Sequence, residues 1–208
     1  MKKYLPRIID KLLSERLEAK GAVLLEGPKW CGKTTSAKQI AASFISMDQP
    51  EMIKQYQSMA ELSPLALLEG ETPRLIDEWQ IAPNLWNAVR YEVDQRDEFG
   101  QFILTGSAVP AEIGESMHTG TGRISRLYMR PMSLYESEDS NGKVTIRDLF
   151  ANQEISAKSD TDLEEIAFLI CRGGWPKAVG LAERLALFQA IDYFDTVVSA
   201  DISRVDSV

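Results

Sequence analysis

The chain of 208 residues holds one histidine and two cysteines, and each scarcity removes a class of chemistry. Cys31 and Cys171 make neither a disulfide framework nor a zinc-ligand spacing, and such sparse use fits a reducing compartment. The lone His118 has no partner pattern for a catalytic triad or a metal centre and reads as a solvated side chain. No run reaches the roughly 18 apolar residues of a membrane span. The basic start Met1-Lys2-Lys3 leads into an amphipathic segment and not into a signal core, so the expected compartment is cytoplasmic. Basic residues are short as well. With 23 Lys and Arg against 31 Asp and Glu, the net charge is −8. A broad face that grips nucleic acid needs clustered Lys and Arg, so neither nucleic acid nor membrane is indicated as a partner. At 44% apolar and 26% charged residues, the composition is that of one globular domain with at most a small satellite.

What the chain does have is a complete phosphate-binding pattern. Gly27-Pro28-Lys29-Trp30-Cys31-Gly32-Lys33-Thr34 reads G-x-x-x-x-G-K-[ST], followed by Thr35. The apolar run Ala22 to Leu25 precedes it as a buried strand, and Thr35 to Phe44 follows with apolar residues at helical spacing. The two glycines let the backbone wrap a phosphate chain so that successive N–H groups point at it. Lys33 then reaches the outer phosphates, and the Thr34 hydroxyl takes a place on Mg²⁺. Cys31 is a small filler of a variable loop position, or a redox-sensitive thiol if Lys33 and the helix start lower its pKa.

The rest of the pattern alternates strands and helices. A helix is expected from Pro6 towards Gly21, strands at Phe44–Asp48, Arg74–Glu78, Gln101–Ser107 and Arg126–Met129, and a helix after Pro83 with Leu85, Trp86, Val89 and Val93 on one face. This order predicts an α/β, three-layer fold with a mainly parallel five-stranded sheet. The polar stretch Ser137 to Gly142 reads as a connector, giving a core over 1–140 and a small helical lid over 141–208. Residues 107–122, with three glycines, read as a surface loop.

Two further segments carry chemistry. Arg74-Leu75-Ile76-Asp77-Glu78 ends a buried strand in adjacent acids, the form called Walker B: Asp77 suits Mg²⁺ and Glu78 suits activation of a water. Thr105 and Ser107, around Gly106 at the end of the next strand, are candidates to contact the γ-phosphate or the attacking water. Of Arg123, Arg126 and Arg130, Arg123 is the preferred candidate to stabilise phosphoryl charge, in the same chain or across a subunit boundary.

The set Tyr4-Leu5-Pro6-Arg7, Gly27 to Thr34, Leu75 to Trp79, Phe102 to Ser107, Gly122-Arg123, Arg130 to Glu136 and Gly173-Gly174-Trp175-Pro176 resembles the prokaryotic AAA+-type P-loop ATPases that open on Tyr-x-Pro-Arg. The resemblance implies ATP and Mg²⁺ as ligands, slow hydrolysis and a switch-like role. It also implies a longer protein, whose further C-terminal part looks like a winged helix joined to a nuclease-like domain, and homo-oligomer or partner contacts through that part. The family's nucleotide-sensing lid arginine has only Arg172 as a weak counterpart. The preference for ATP over GTP comes from the resemblance, and the absence of an Asn-Lys-x-Asp tetrapeptide agrees with it. Two alternatives stay open: a P-loop kinase of a small molecule, and a nucleotide-binding module without turnover.

Overall fold

The computed structural model describes residues 3–106, 120–151 and 154–201. The chain divides into two compact units, Pro6–Arg130 and Met1–Leu5 with Pro131–Val208. In the first unit α1 (Ile8–Leu17) leads to β1 (Ala22–Glu26), α2 (Lys33–Ala37), β2 (Ser43–Ser46) and α3 (Ile53–Leu62). Then come β3 (Arg74–Asp77), α4 (Asn84–Arg96), β4 (Phe102–Gly106) and β5 (Ile124–Tyr128), with short 3-10 turns at Pro64–Leu68 and Trp79–Ile81.

The central strands β1, β3 and β4 are largely apolar and buried because flanking helices cover both faces of the sheet, while the edge strands β2 and β5 carry polar residues between apolar ones. Ala22 to Leu25, Leu75, Ile76 and Phe102 to Leu104 are all buried. The five strands run in the order β2-β3-β4-β1-β5, and every neighbouring pair is parallel. This is the expected α/β architecture. The α4 face reads as the spacing predicts, with Leu85, Trp86, Val89 and Val93 buried. Trp86 packs on Trp79 with ring centroids 5.3 Å apart. Fully burying such side chains contributes roughly 1.5–3 kcal/mol each, which anchors the turn after β3 to the core.

Two elements differ from the sequence reading. The helix after the phosphate loop is only Lys33–Ala37 and does not run on to Phe44. Gln39 and Ile40 donate to Ser36 and Ala37 three residues back, which tightens the chain so that it reaches β2 at once. Phe44 belongs to β2, where Lys38 Nζ lies 3.7 Å from its ring centroid. The helix α3, over a stretch to which the sequence reading assigns no helix, buries Ala60 and packs Tyr56 and Met59 against the core.

In the second unit α5 (Ile146–Phe150), α6 (Leu163–Arg172) and α7 (Glu183–Thr196) follow one another, and a π turn covers Val197–Asp201. Thr145 and Asp162 cap α5 and α6 by accepting from the Asp148 and Glu165 amides. The unit begins at Pro131, earlier than the polar connector suggests, because residues 132–139 pack on residues 172–174. The Met132 amide donates to Gly174 O at 2.7 Å, and Arg172 grips Asp139 at 2.6 Å. Among the described residues no helix is long and apolar enough to cross a membrane.

Candidate nucleotide site

The site lies at the C-terminal edge of the sheet, where β1, β3 and β4 each release a functional residue. Because β4 lies between β1 and β3, its register places Thr105 beside both Leu25 and Asp77. The turn that leaves β1 is shaped by Gly27 at φ 149° and Gly32 at φ 103°. A Cβ on Gly27 would lie 2.2 Å from Met129 O, so no larger residue fits there. The Met129 amide in turn donates to Glu26 O at 2.7 Å, which ties the loop's base to the end of β5.

Lys33 is buried, and its ammonium donates to Gly27 O and Pro28 O, each at 2.9 Å. The cation is thus held inside the curl of the loop. Lys29, Trp30 and Thr35 are exposed on it, while Pro28, Gly32 and Thr34 are half-buried. Thr34 Oγ1 donates to Asp77 Oδ1 at 2.8 Å, across the intervening strand. Two segments 43 residues apart therefore meet at one pair of hard oxygen donors.

Glu78 follows in left-handed backbone, φ 54° and ψ 42°. A non-glycine residue there stores strain, of order 1–3 kcal/mol, and such outliers gather at functional sites. Burial pushes the Glu78 carboxyl above its ordinary pKa, and the nearby Asp77 and Asp48 charges add to this. A hydrogen bond from Gln80 and the charge of Lys33 pull the other way.

Two expected residues are used differently from the sequence reading. Thr105 is 0% exposed, and its hydroxyl donates to Asp77 Oδ1, the same oxygen that Thr34 binds. It orients Asp77 and presents no surface to a phosphate. Arg123 precedes β5 at the N-terminal edge of the sheet, where it pairs with Asp94 at 2.7 Å. The five residues of β5 separate it from the loop edge, roughly 16 Å at about 3.3 Å per residue. A role on a phosphate in its own chain does not fit that position. Arg126 pairs with Glu26 at 3.5 Å. Arg130 is exposed just past β5, on the loop's side of the sheet, over the Tyr128 ring. Ser107 and His118 lie outside the described residues.

Cys31 is a filler. It is 0% exposed, and burial raises its thiol pKa despite the opposing charges of Lys33 and Arg7. Both features favour the filler reading over a reactive thiolate. In the other unit, Arg172 is consumed by Asp139 and Ser137, and its side chain has no exposed face to offer a nucleotide.

One residue escaped assignment from the sequence. Arg7 is buried and donates to Cys31 O at 2.7 Å and to Arg130 O at 2.8 Å, so it staples the phosphate loop to the end of β5. The only sequence signal was its place in Tyr4-Leu5-Pro6-Arg7.

No curated protein matches the chain. Among 72 matching chains of solved structures, the structure of C. elegans PCH-2 aligns at 15% identity with a TM-score of 0.41. The alignment covers 86% of this chain and 58% of that one. The AAA domain family matches residues 19–138, which hold the phosphate loop, the acidic pair and all five strands. With more than half of its length matched, this chain belongs to the AAA domain family, a family of nucleotide-binding ATPases.

Proposed function

We propose that this chain binds ATP with Mg²⁺ at the C-terminal edge of its sheet and hydrolyses it slowly, as a nucleotide-dependent switch. One observation carries the reading: the Thr34–Asp77 hydrogen bond at 2.8 Å, which joins the end of the phosphate loop to the acidic pair on another strand. Hard oxygen donors of this kind suit Mg²⁺, which is typically held by one or two carboxylates plus substrate phosphates.

In this reading the backbone N–H groups from Lys29 to Thr34 cradle the phosphates. Lys33 exchanges its two carbonyl acceptors for anionic oxygens, which accept more strongly. Thr34 and Asp77 would hold Mg²⁺, which would supply charge neutralisation for the phosphates. Glu78 takes a proton from the attacking water as its oxygen bonds to the γ-phosphorus and the bond to ADP breaks. Thr105 keeps Asp77 in place. The helical unit from Pro131 onward is proposed as the lid that answers to the γ-phosphate, and a cytoplasmic location accompanies this assignment.

Titration with a fluorescent ATP analogue and steady-state phosphate release test the proposal. Lys33→Ala is expected to abolish nucleotide binding. Glu78→Gln is expected to keep binding and lose turnover by roughly 10²- to 10⁴-fold, the usual contribution of a general base. Chelation of Mg²⁺ by EDTA is expected to stop phosphate release. Tight binding with no phosphate release by the parent chain would leave a binding module instead.

A further inference from the structure

Gln80 lies in the 3-10 turn directly after the acidic pair, and among the described residues it is the side chain that holds Glu78. Its Nε2–H donates to Glu78 Oε2. The other end of the carboxamide, Oε1, is buried and has no hydrogen-bond partner among the described residues. That oxygen lies against Gly106 at the end of β4, where an added Cβ would fall 2.4 Å from Gln80 Oε1 and 3.1 Å from Trp79 Nε1. Trp79 is 1% exposed and packed on Trp86, so the turn itself is fixed in the core. Gln80 is thus confined between the β4 terminus and Glu78.

A base that must meet a water within hydrogen-bond reach gains from such confinement. Glutamate has three rotatable bonds, and freezing them costs side-chain entropy that a fixed partner offsets in advance. Left-handed backbone sets the direction of the Glu78 side chain, and the Gln80 amide sets its far end. The bond occupies Oε2 and leaves Oε1 to receive a proton.

We propose that Gln80 is the positioning residue for Glu78, holding its carboxylate in the orientation that activates the attacking water. The inference rests on the ATPase reading above. It is tested with three variants of the chain beside Glu78→Gln. Gln80→Met keeps the side-chain length and removes the donor, Gln80→Ala removes both, and Gly106→Ala presses on the carboxamide from the other side. Gln80→Met and Gln80→Ala are expected to lower kcat by on the order of 10- to 100-fold, as misplacement of a reacting group does. The Kd for the fluorescent ATP analogue and the thermal midpoint are expected to stay near those of the parent. Gly106→Ala should show the same kcat loss with analogue binding retained. In the Glu78→Gln background, Gln80→Met should cost nothing more, because both changes act on one step.

Parental kcat in Gln80→Met alongside an inactive Glu78→Gln overturns the Gln80 role and leaves the ATPase reading standing. A large further loss in the double variant overturns it too. Parental turnover in Glu78→Gln removes the base itself, and this inference with it.

Discussion

Arg7 shows how much of the site depends on one side chain remote from it in sequence. Its guanidinium spans the Cys31 and Arg130 carbonyls at 2.7 and 2.8 Å, and hydrogen bonds from a charged group contribute about 1.5–3 kcal/mol each. Arg7→Met is expected to weaken binding of an ATP analogue by at least about tenfold, a loss of roughly 1.4 kcal/mol, and to lower the thermal midpoint. Arg7→Lys should not rescue it, because a single ammonium lacks the planar fork that reaches two carbonyls at once. Fluorescence titration of the two variants decides this; equal affinity in Arg7→Lys and the parent would contradict it. The contrast with Lys33 explains which roles the sequence discloses. Lys33, Thr34, Asp77 and Glu78 belong to short patterns whose spacing encodes their geometry. Thr105 and Arg123 depend on strand register: Thr105 faces Asp77 because β4 is inserted beside β3, and Arg123 lies at the far edge because β5 runs parallel to β1. Neither fact is written in the residues near them.

At the scale of elements, the central strands were readable because burial on both faces demands nearly unbroken apolar runs. The length of α2 and the existence of α3 were not, since tight turn bonding and polar composition decide them. The phosphate loop is an element in its own right, closed on β5 through Gly27 and Met129 O. Gly27→Ala combines that clash with a φ of 149°, so a cost of roughly 1–3 kcal/mol in stability and loss of ATP binding are expected; chemical denaturation and analogue titration read the two effects. In the second unit the Arg172–Asp139 pair holds α6 to the segment after Pro131. Burial alone would raise the Asp139 pKa, but hydrogen bonds from Arg172 and Ser137 and the guanidinium charge outweigh it and hold the carboxyl below its ordinary value. A depressed folded pKa gives stability that is fully present above the unfolded value, about 3.9, and lost as pH falls through the lower folded value. Urea midpoints measured from pH 7 down to pH 3 should therefore drop in the acid range for the parent and drop less for Asp139→Asn. Arg172→Met, which leaves Asp139 without its cation, is expected to cost roughly 3 kcal/mol at pH 7.

For the whole molecule, two features bear on how the ATPase works: charge and the placement of cations around the sheet. A net charge of −8 opposes association with a polyanion, and phosphate contacts are the sequence-independent source of such binding. Addition of duplex DNA at low salt is accordingly expected to leave phosphate release unchanged. Arg123, paired with Asp94 at the edge of the sheet opposite the loop, is 46% exposed in its side chain. From that edge it does not reach the phosphate loop of its own chain, and a phosphate held by a neighbouring copy is the one to test. The second unit displays large apolar side chains, with Phe150 85% and Leu163 82% exposed, and apolar groups left in water favour association. If copies associate so that Arg123 completes a neighbour's site, the rate per chain rises with protein concentration. Arg123→Ala then flattens that rise while ATP-analogue binding stays at the parental value, since Arg123 lies away from its own loop. Phosphate release measured over a hundredfold range of protein concentration, beside sedimentation velocity on the same samples, separates the cases. A concentration-dependent rate that persists in Arg123→Ala would assign the trans cation elsewhere, and Arg130, exposed on the loop side of the sheet, is the arginine to test next.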